Sequence, residues 1–259
     1  MSYKDIVVFL DAGRSTATRL DVAVSLCQRF DARLIGVDVS TPEAFAGEFA
    51  DVAKGLEPAF EAKIKEGAIK GEYRVAENRT SSWKDFYAHY ADLVVATGRD
   101  EDSDDLVARG IPDDIVMSAG VPVLVLPPIW GPAAIGESVV IAWNSSRESI
   151  RALHDSLPIL RHAKRVTIFE FAPFVDHVDS APGLVQAHLS QHDVSSEIFT
   201  WPNASDIAPI DALFSCLERQ QADLIVAGAF GHPRLIEALV GSASKDLLHN
   251  PSVPVLMSH

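Results

Sequence analysis

The sequence predicts two tandem α/β domains, each a doubly wound, five-stranded parallel sheet. Three observations carry that expectation. Short continuous apolar runs (Ile6 to Leu10, Val139 to Trp143, Leu224 to Ala227) alternate with amphipathic helical stretches. Unbroken runs mark strands buried on both faces, and alternating them with helices builds a parallel sheet. The order then repeats. Asp92-Leu-Val-Val-Ala matches Asp223-Leu-Ile-Val-Ala, Val121-Pro-Val-Leu matches Val253-Pro-Val-Leu, and the turn Asp11-Ala-Gly-Arg14 matches Asn144-Ser-Ser-Arg147. The offsets are 131, 132 and 133 residues, so the register drifts very little, as two copies of one domain would have it. Between the copies, Pro127-Pro128-Ile129-Trp130-Gly131-Pro132 reads as a stiff spacer that no central strand would accept. The domains are expected at 1–128 and 134–259.

Each element has a local reason. Asp5 to Leu10 is a continuous apolar strand closed by the turn Asp11-Ala12-Gly13. A helix from Ser15 to Phe30 puts Leu20, Ala23, Val24, Cys27 and Phe30 on one side. Ala32 to Val39 is the second strand. Thr41-Pro42 opens a long polar and helical stretch to about Lys70, and Gly71 to Ala76 is the third strand. Ser82 to Tyr90 is a short helix with Trp83, Phe86, Tyr87 and Tyr90 as packing. Asp92 to Thr97, a helix from Ile111 to Ala119, and Val121 to Leu126 complete the first copy. The second copy reads Val139 to Trp143, helix Arg147 to Leu160, Arg165 to Phe171, helix Gly183 to Gln191, Val194 to Thr200, helix Ile207 to Arg219 and Asp223 to Ala227. A helix starting near Gly241, with apolar residues at helical spacing from Leu239 to Leu248, and a last strand over Val253 to Leu256 follow.

Composition bounds the function. The 259 residues carry a net charge of −14, with 47% hydrophobic residues. That balance argues against a nucleic-acid or anionic-membrane surface, though not against one phosphate held by backbone groups. The opening MSYKDIVVFLDAG lacks the plan of a signal peptide, and no window approaches the ~18 apolar residues of a membrane span. Cys27 and Cys216 each fall in an amphipathic helix and read as buried free thiols of a reducing compartment. The cytoplasm is the expected location.

The stretch with chemistry is Ala222 to Met257. An apolar run ends at Gly228; two residues later comes Gly231, and nine after that Gly241-Ser242, where the apolar spacing turns helical. Glycine lets a ligand approach the backbone, and a helix N-terminus offers unpaired N–H groups with about half a positive charge. Ser242 and Ser244 add hydroxyls at that end, so the layout suits an anion. On spacing alone the glycines serve equally well as loop punctuation.

The pattern Gly228-x2-Gly231-x9-Gly241-Ser242, preceded by DLIVAG and followed by Val-Pro-Val-Leu, resembles the ATP-binding signature of the universal stress protein family. With the internal repeat, the resemblance to a tandem member covers nearly the whole chain. It implies an adenine-nucleotide-hydrolase-like fold with the nucleotide at the carboxyl ends of the strands. It also implies that the two fifth strands, each an edge, pair antiparallel in an internal pseudo-dimer. It assigns the ligand, ATP or AMP/ADP, to Trp143, Asn144, Phe171, Ala227, Gly228, Gly231, His232, Gly241, Ser242, Ala243 and Ser244. Phe171 serves equally as a core aromatic. The implied role is a stress-response sensor or regulatory binding protein with a protein partner not named by the sequence, and a homodimer is compatible with it. A slow ATPase and an interaction protein with a vestigial pocket are the alternatives.

Departures from the family pattern matter. The family usually ends its first strand in Asp beside the nucleotide; here that residue is Asn144, which hydrogen-bonds but brings no charge for Mg²⁺. That weighs against metal assistance and hydrolysis. The first copy keeps Asp11 but has Gly98 followed by an acidic run from Asp100 to Asp105, and Gly110 lacks a following serine, so it is expected not to bind ATP. No catalytic residues and no resident metal are assigned. His188 and His192, at i, i+4 on a helix with His177 nearby, leave a zinc reading open. No Walker loop, G-x-G-x-x-G or G-x-S-x-G is present.

Overall fold

The structure, a computed structural model, describes residues 2–11, 13–39, 49–76, 88–98, 115–131, 135–172, 182–202, 207–229 and 252–259. The chain divides into two compact units, one running to residue 133 and the other beginning at residue 134.

The first unit contains β1 (Asp5–Leu10), α1 (Thr16–Phe30), β2 (Arg33–Asp38), α2 (Phe49–Gly67), β3 (Lys70–Val75), β4 (Leu93–Thr97) and β5 (Val123–Leu126). Its sheet order is β3-β2-β1-β4-β5, with every neighbouring pair parallel. The second unit contains β6 (Ser138–Trp143), α3 (Arg147–Leu160), β7 (Arg165–Ala172), α4 (Pro182–Gln191), β8 (Glu197–Pro202), α5 (Pro209–Gln220), β9 (Leu224–Gly228) and β10 (Val255–Ser258). Its order is β8-β7-β6-β9-β10, again all parallel. In both sheets the order reverses between the first strand and the fourth, which defines a doubly wound fold with one switch point per unit.

The repeat seen in sequence has structural causes. Asp92 accepts hydrogen bonds from the amides of Lys4 (2.7 Å) and Asp5 (3.0 Å), pinning the start of β1 beside β4. Asp223 does the same for β6, accepting from Gly136 and Glu137 at 3.0 Å and from Ser138 at 3.1 Å. A carboxylate is needed at this place because several strand-entry amides converge on it with no ladder partner. The helices repeat as closely. In α1 the residues Thr16, Arg19, Leu20, Ala23, Leu26 and Cys27 are buried. Their counterparts at the 133-residue offset in α3, Ser149, Ala152, Leu153, Ser156, Ile159 and Leu160, are buried too.

The cores follow the apolar runs. Ile6, Val7 and Val8 are fully buried, as are Leu93, Val94 and Val95, and in the second unit Val139, Val140, Leu224, Ile225 and Val226. The outer strand β3 is only half-buried and carries its charges as a ladder: Arg33 pairs with Asp5 (2.8 Å) and Glu72 (3.3 Å), and Arg74 with Glu72 (2.7 Å). Cys27 and Cys216 are free and buried.

Several boundaries differ from expectation. The last strand spans Val255–Ser258, two residues later than the Val253 start, because Pro254 has no N–H to give and only its carbonyl joins the sheet, accepting from Ile225. β5 likewise begins at Val123, after Pro122. β8 begins at Glu197 rather than Val194, because Val194 closes α4 instead, its amide donating to the Leu189 carbonyl. Of the expected helix Ile111 to Ala119, residues 115–118 are helical. Most of the Ser82 to Tyr90 helix and all of the Leu239 to Leu248 helix lie outside the described residues. No helix among the described residues is long and apolar enough to cross a membrane.

Candidate functional site

In a doubly wound sheet, the crevice for a ligand forms outside the carboxyl ends of the strands at the switch point. In the second unit that point lies between β6 and β9, where Ala142 is paired with Ala227. Trp143 ends β6 and Asn144 follows it, and Gly228 ends β9. On the other side of β6, Trp143 pairs with Glu170 of β7, and Phe171 follows. Ala142, Trp143, Phe171 and Gly228 are half-buried and Asn144 is exposed.

The turn leaving β6 is built for a helix start. Asn144 Oδ1 accepts the Ser146 amide at 3.0 Å, closing an Asx-turn, and Ser145 takes the left-handed conformation (φ 59°). Ser146 caps α3, its hydroxyl accepting the Ser149 amide at 3.1 Å, and the Ser149 hydroxyl donates to the Ser146 carbonyl at 2.9 Å. Gly228 then packs directly on that first turn. A β-carbon there would stand 2.5 Å from the Glu148 carbonyl carbon and closer still to the Ser149 amide nitrogen. The glycine that the sequence suggested for close approach of a ligand is therefore required for close approach of a helix.

One buried donor is unspent here among the described residues. The Trp143 indole N–H is buried and has no hydrogen-bond partner among the described residues. A buried orphan donor costs about 1–3 kcal/mol, which an acceptor on a ligand would relieve. Glu148 and Glu170 are buried carboxylates, 8% and 7% exposed, at the same end of the sheet. Glu170 immediately precedes Phe171 and Glu148 lies four residues after Asn144, but their burial is not visible from spacing.

The first unit uses its switch point differently. Asp11, the counterpart of Asn144, is 3% exposed and locked to Arg19, which is also 3% exposed. The Arg19 guanidinium donates to Asp11 Oδ2 at 2.6 Å, to the Phe9 carbonyl at 2.8 Å, to the Thr97 hydroxyl at 2.7 Å and to the Thr16 hydroxyl at 2.9 Å. Asp11 Oδ1 accepts from the Gly13 amide and from the Thr16 hydroxyl, both at 2.7 Å. Burial alone would raise the Asp11 carboxyl, but the Arg19 charge, aided by Thr16 and Gly13, outweighs it and holds the group below its ordinary value. Leu10, Asp11, Thr97 and Gly98 are all buried, so this strand end is closed. At the corresponding positions the second unit has Asn144, Ala152 and Gly228, and no guanidinium.

Of the residues the sequence assigned to the ligand, Trp143, Asn144, Phe171, Ala227 and Gly228 lie at the carboxyl ends of three neighbouring strands. Gly231, His232, Gly241, Ser242, Ala243 and Ser244 lie outside the described residues, as do His177 and the acidic run 100–105. His154 is an addition: its Nε2 is 3.1 Å from Nε2 of His188. Among the described residues no group of three or more His, Cys, Asp or Glu side chains is arranged to hold a metal.

Comparison with known proteins bears on both units. Residues 208–259 match the model of the universal stress protein family. No curated protein sequence matches the chain. A universal stress protein from Archaeoglobus fulgidus DSM 4304 superposes with a TM-score of 0.75 at 14% identity, covering 98% of this chain and 97% of its own. A universal stress protein from Pseudomonas aeruginosa UCBPP-PA14, described as putative, gives 0.58 at 14% identity over 99% of this chain and 93% of its own. A universal stress protein solved in complex with cAMP aligns with 50% of this chain at 19% identity, but its TM-score of 0.38 is too low to transfer a ligand. Residues 208–259 thus match the universal stress protein family model, and the chain has the fold of the universal stress proteins it superposes on.

Proposed function

We propose that the second unit binds one adenine nucleotide, ATP or its di- or monophosphate, and that the protein acts as a sensor or regulatory binding protein in a stress response. The observation that carries this reading is the contrast between the two switch points. One is filled by Arg19 clamped to Asp11 and Thr97; the other has Ala152, Asn144 and Gly228, half-buried strand ends and an indole N–H without a partner among the described residues. The glycine-and-serine signature after β9 falls inside the family-matching segment and supplies amides and hydroxyls for the phosphates. Phe171 and Ala227 would flank the base, and Asn144 would hydrogen-bond the ribose. Asn144 bears no charge, so Mg²⁺ has no anchor at the position where the family usually places Asp.

Calorimetric titration of the full chain with ATP, ADP and AMP, with and without Mg²⁺, tests this. The expected result is one nucleotide per chain, with binding lost in Gly241→Asp. At a ligand concentration 100 times the dissociation constant, the native state gains about 2.7 kcal/mol, so the melting temperature rises. No binding at millimolar nucleotide, or unchanged binding in Gly241→Asp, overturns the reading and favours an interaction protein with a vestigial pocket. A second reading, a slow ATPase, draws on the buried Glu148 and Glu170 as carboxylates at the same strand ends. It requires phosphate release above that of the Gly241→Asp control.

A further inference from the structure

We propose that His154 and His188 chelate a divalent transition-metal ion on the surface of the second unit. His154 projects from the exposed side of α3 and His188 from the exposed side of α4. Their Nε2 atoms are 3.1 Å apart, with ring centres 5.1 Å apart and the rings nearly perpendicular at 75°. Two imidazole nitrogens on one tetrahedral zinc, each at about 2.0–2.1 Å, stand roughly 3.3 Å from one another, and their ring centres roughly 5 Å. The observed pair reaches that spacing by a shift of a few tenths of an ångström.

The surroundings hold the pair in place without competing for it. The backbone carbonyl of His192 accepts from Arg161 Nε at 3.1 Å, tying the end of α4 to the end of α3. The His192 ring stacks edge-on against His188 with centres 4.7 Å apart, and its Nδ1 lies 3.4 Å from Arg161 Nη2. His192 therefore orients His188 and faces a cation, which makes it a positioning residue and not a ligand. The i, i+4 contact of His188 with His192 is thus joined by a contact across two helices, between His188 and His154.

Two exposed imidazoles gain little from hydrogen-bonding each other, because water satisfies either ring equally well. A metal ion gives the arrangement its use. Neutral imidazole suits Zn²⁺, Cu²⁺ and Ni²⁺ and discriminates against Mg²⁺ and Ca²⁺, which prefer oxygen. With two protein ligands and water in the remaining positions, the ion would exchange readily, as a regulatory site needs and a structural zinc does not.

The test is titration of the full chain with ZnCl₂ by calorimetry, and with CoCl₂ by visible absorption, in a non-chelating buffer. His154→Ala and His188→Ala should each weaken Zn²⁺ binding at least tenfold and abolish the cobalt signal, while the exposed His89→Ala leaves both unchanged. Circular dichroism and melting without metal, the same in all variants, exclude misfolding. Because the pair shares no residue with those assigned to the nucleotide, Gly241→Asp should bind zinc like the wild type. Zinc binding that survives both His154→Ala and His188→Ala, or that His89→Ala removes, overturns the assignment, as does a response to Mg²⁺ equal to that for Zn²⁺.

Discussion

Arg19→Ala gives the first unit the residue that the second unit carries at the matching position, and it is the sharpest test of why the first switch point is closed. The Arg19 and Asp11 side chains are each 4% exposed and in contact at 2.6 Å. Removing the guanidinium strands a buried carboxylate and takes donors from the Phe9 carbonyl and the Thr97 hydroxyl. Breaking a buried pair from one side costs about 3–5 kcal/mol. Asp11 keeps the Gly13 amide and the Thr16 hydroxyl, which places the expected loss near 3 kcal/mol. That is a large share of the ~5–15 kcal/mol of a typical domain. Two units need not unfold in one transition, so urea unfolding should be read together with hydrogen exchange at the amides of β1 and β4. The loss should depend on pH. Without Arg19, burial raises the Asp11 carboxyl above its unfolded value, so the carboxylate penalty grows as pH rises through the new folded value and shrinks toward pH 4. Adding Asp11→Asn, which removes the stranded charge, should restore more than half of the loss. A cost below about 1 kcal/mol at pH 7, or no rescue by the second change, refutes this account of the clamp.

Other expectations follow from the same geometry. In the wild type the Asp11 carboxyl is held below its ordinary value, so its contribution is complete above about pH 4 and is lost as pH falls from there through the folded value; Asp11→Asn should flatten that part of the acid-unfolding profile. Gly228→Ala should destabilise the second unit by about 1–3 kcal/mol by denaturant unfolding, because the added carbon meets helix backbone that cannot swing aside. Cys27 and Cys216 are buried, and burial pushes their thiols up to about 12 and about 11, so a thiol reagent at pH 8 should label them only once the protein is unfolded.

Much of the fold could be read from residues because its causes are local. Continuous apolar runs marked the central strands, and the repeated Asp92 and Asp223 were visible as sequence and proved to hold the strand starts. Strand ends were less legible where proline intervened: Pro122 and Pro254 look like part of an apolar run, yet neither can donate to a ladder. The Arg19 clamp was missed because its partners, Asp11 and Thr97, are 8 and 78 residues away. One signal was present, a charged residue next to Leu20 on the apolar side of α1, where Ala152 stands in the second copy. Gly228 was legible as a tight spot but not as a contact with α3, since spacing does not say what approaches. His154 could not be paired with His188 from sequence, because the contact depends on how two helices lie side by side.

The closed half also fixes how a saturation curve should look. On the proposed reading, in which Arg19 fills one crevice and only the second unit binds nucleotide, a single polypeptide offers a lone seat, and its occupancy rises hyperbolically with ligand. Any sigmoid shape would then report one polypeptide influencing another, so the steepness of the isotherm becomes an assay for self-association.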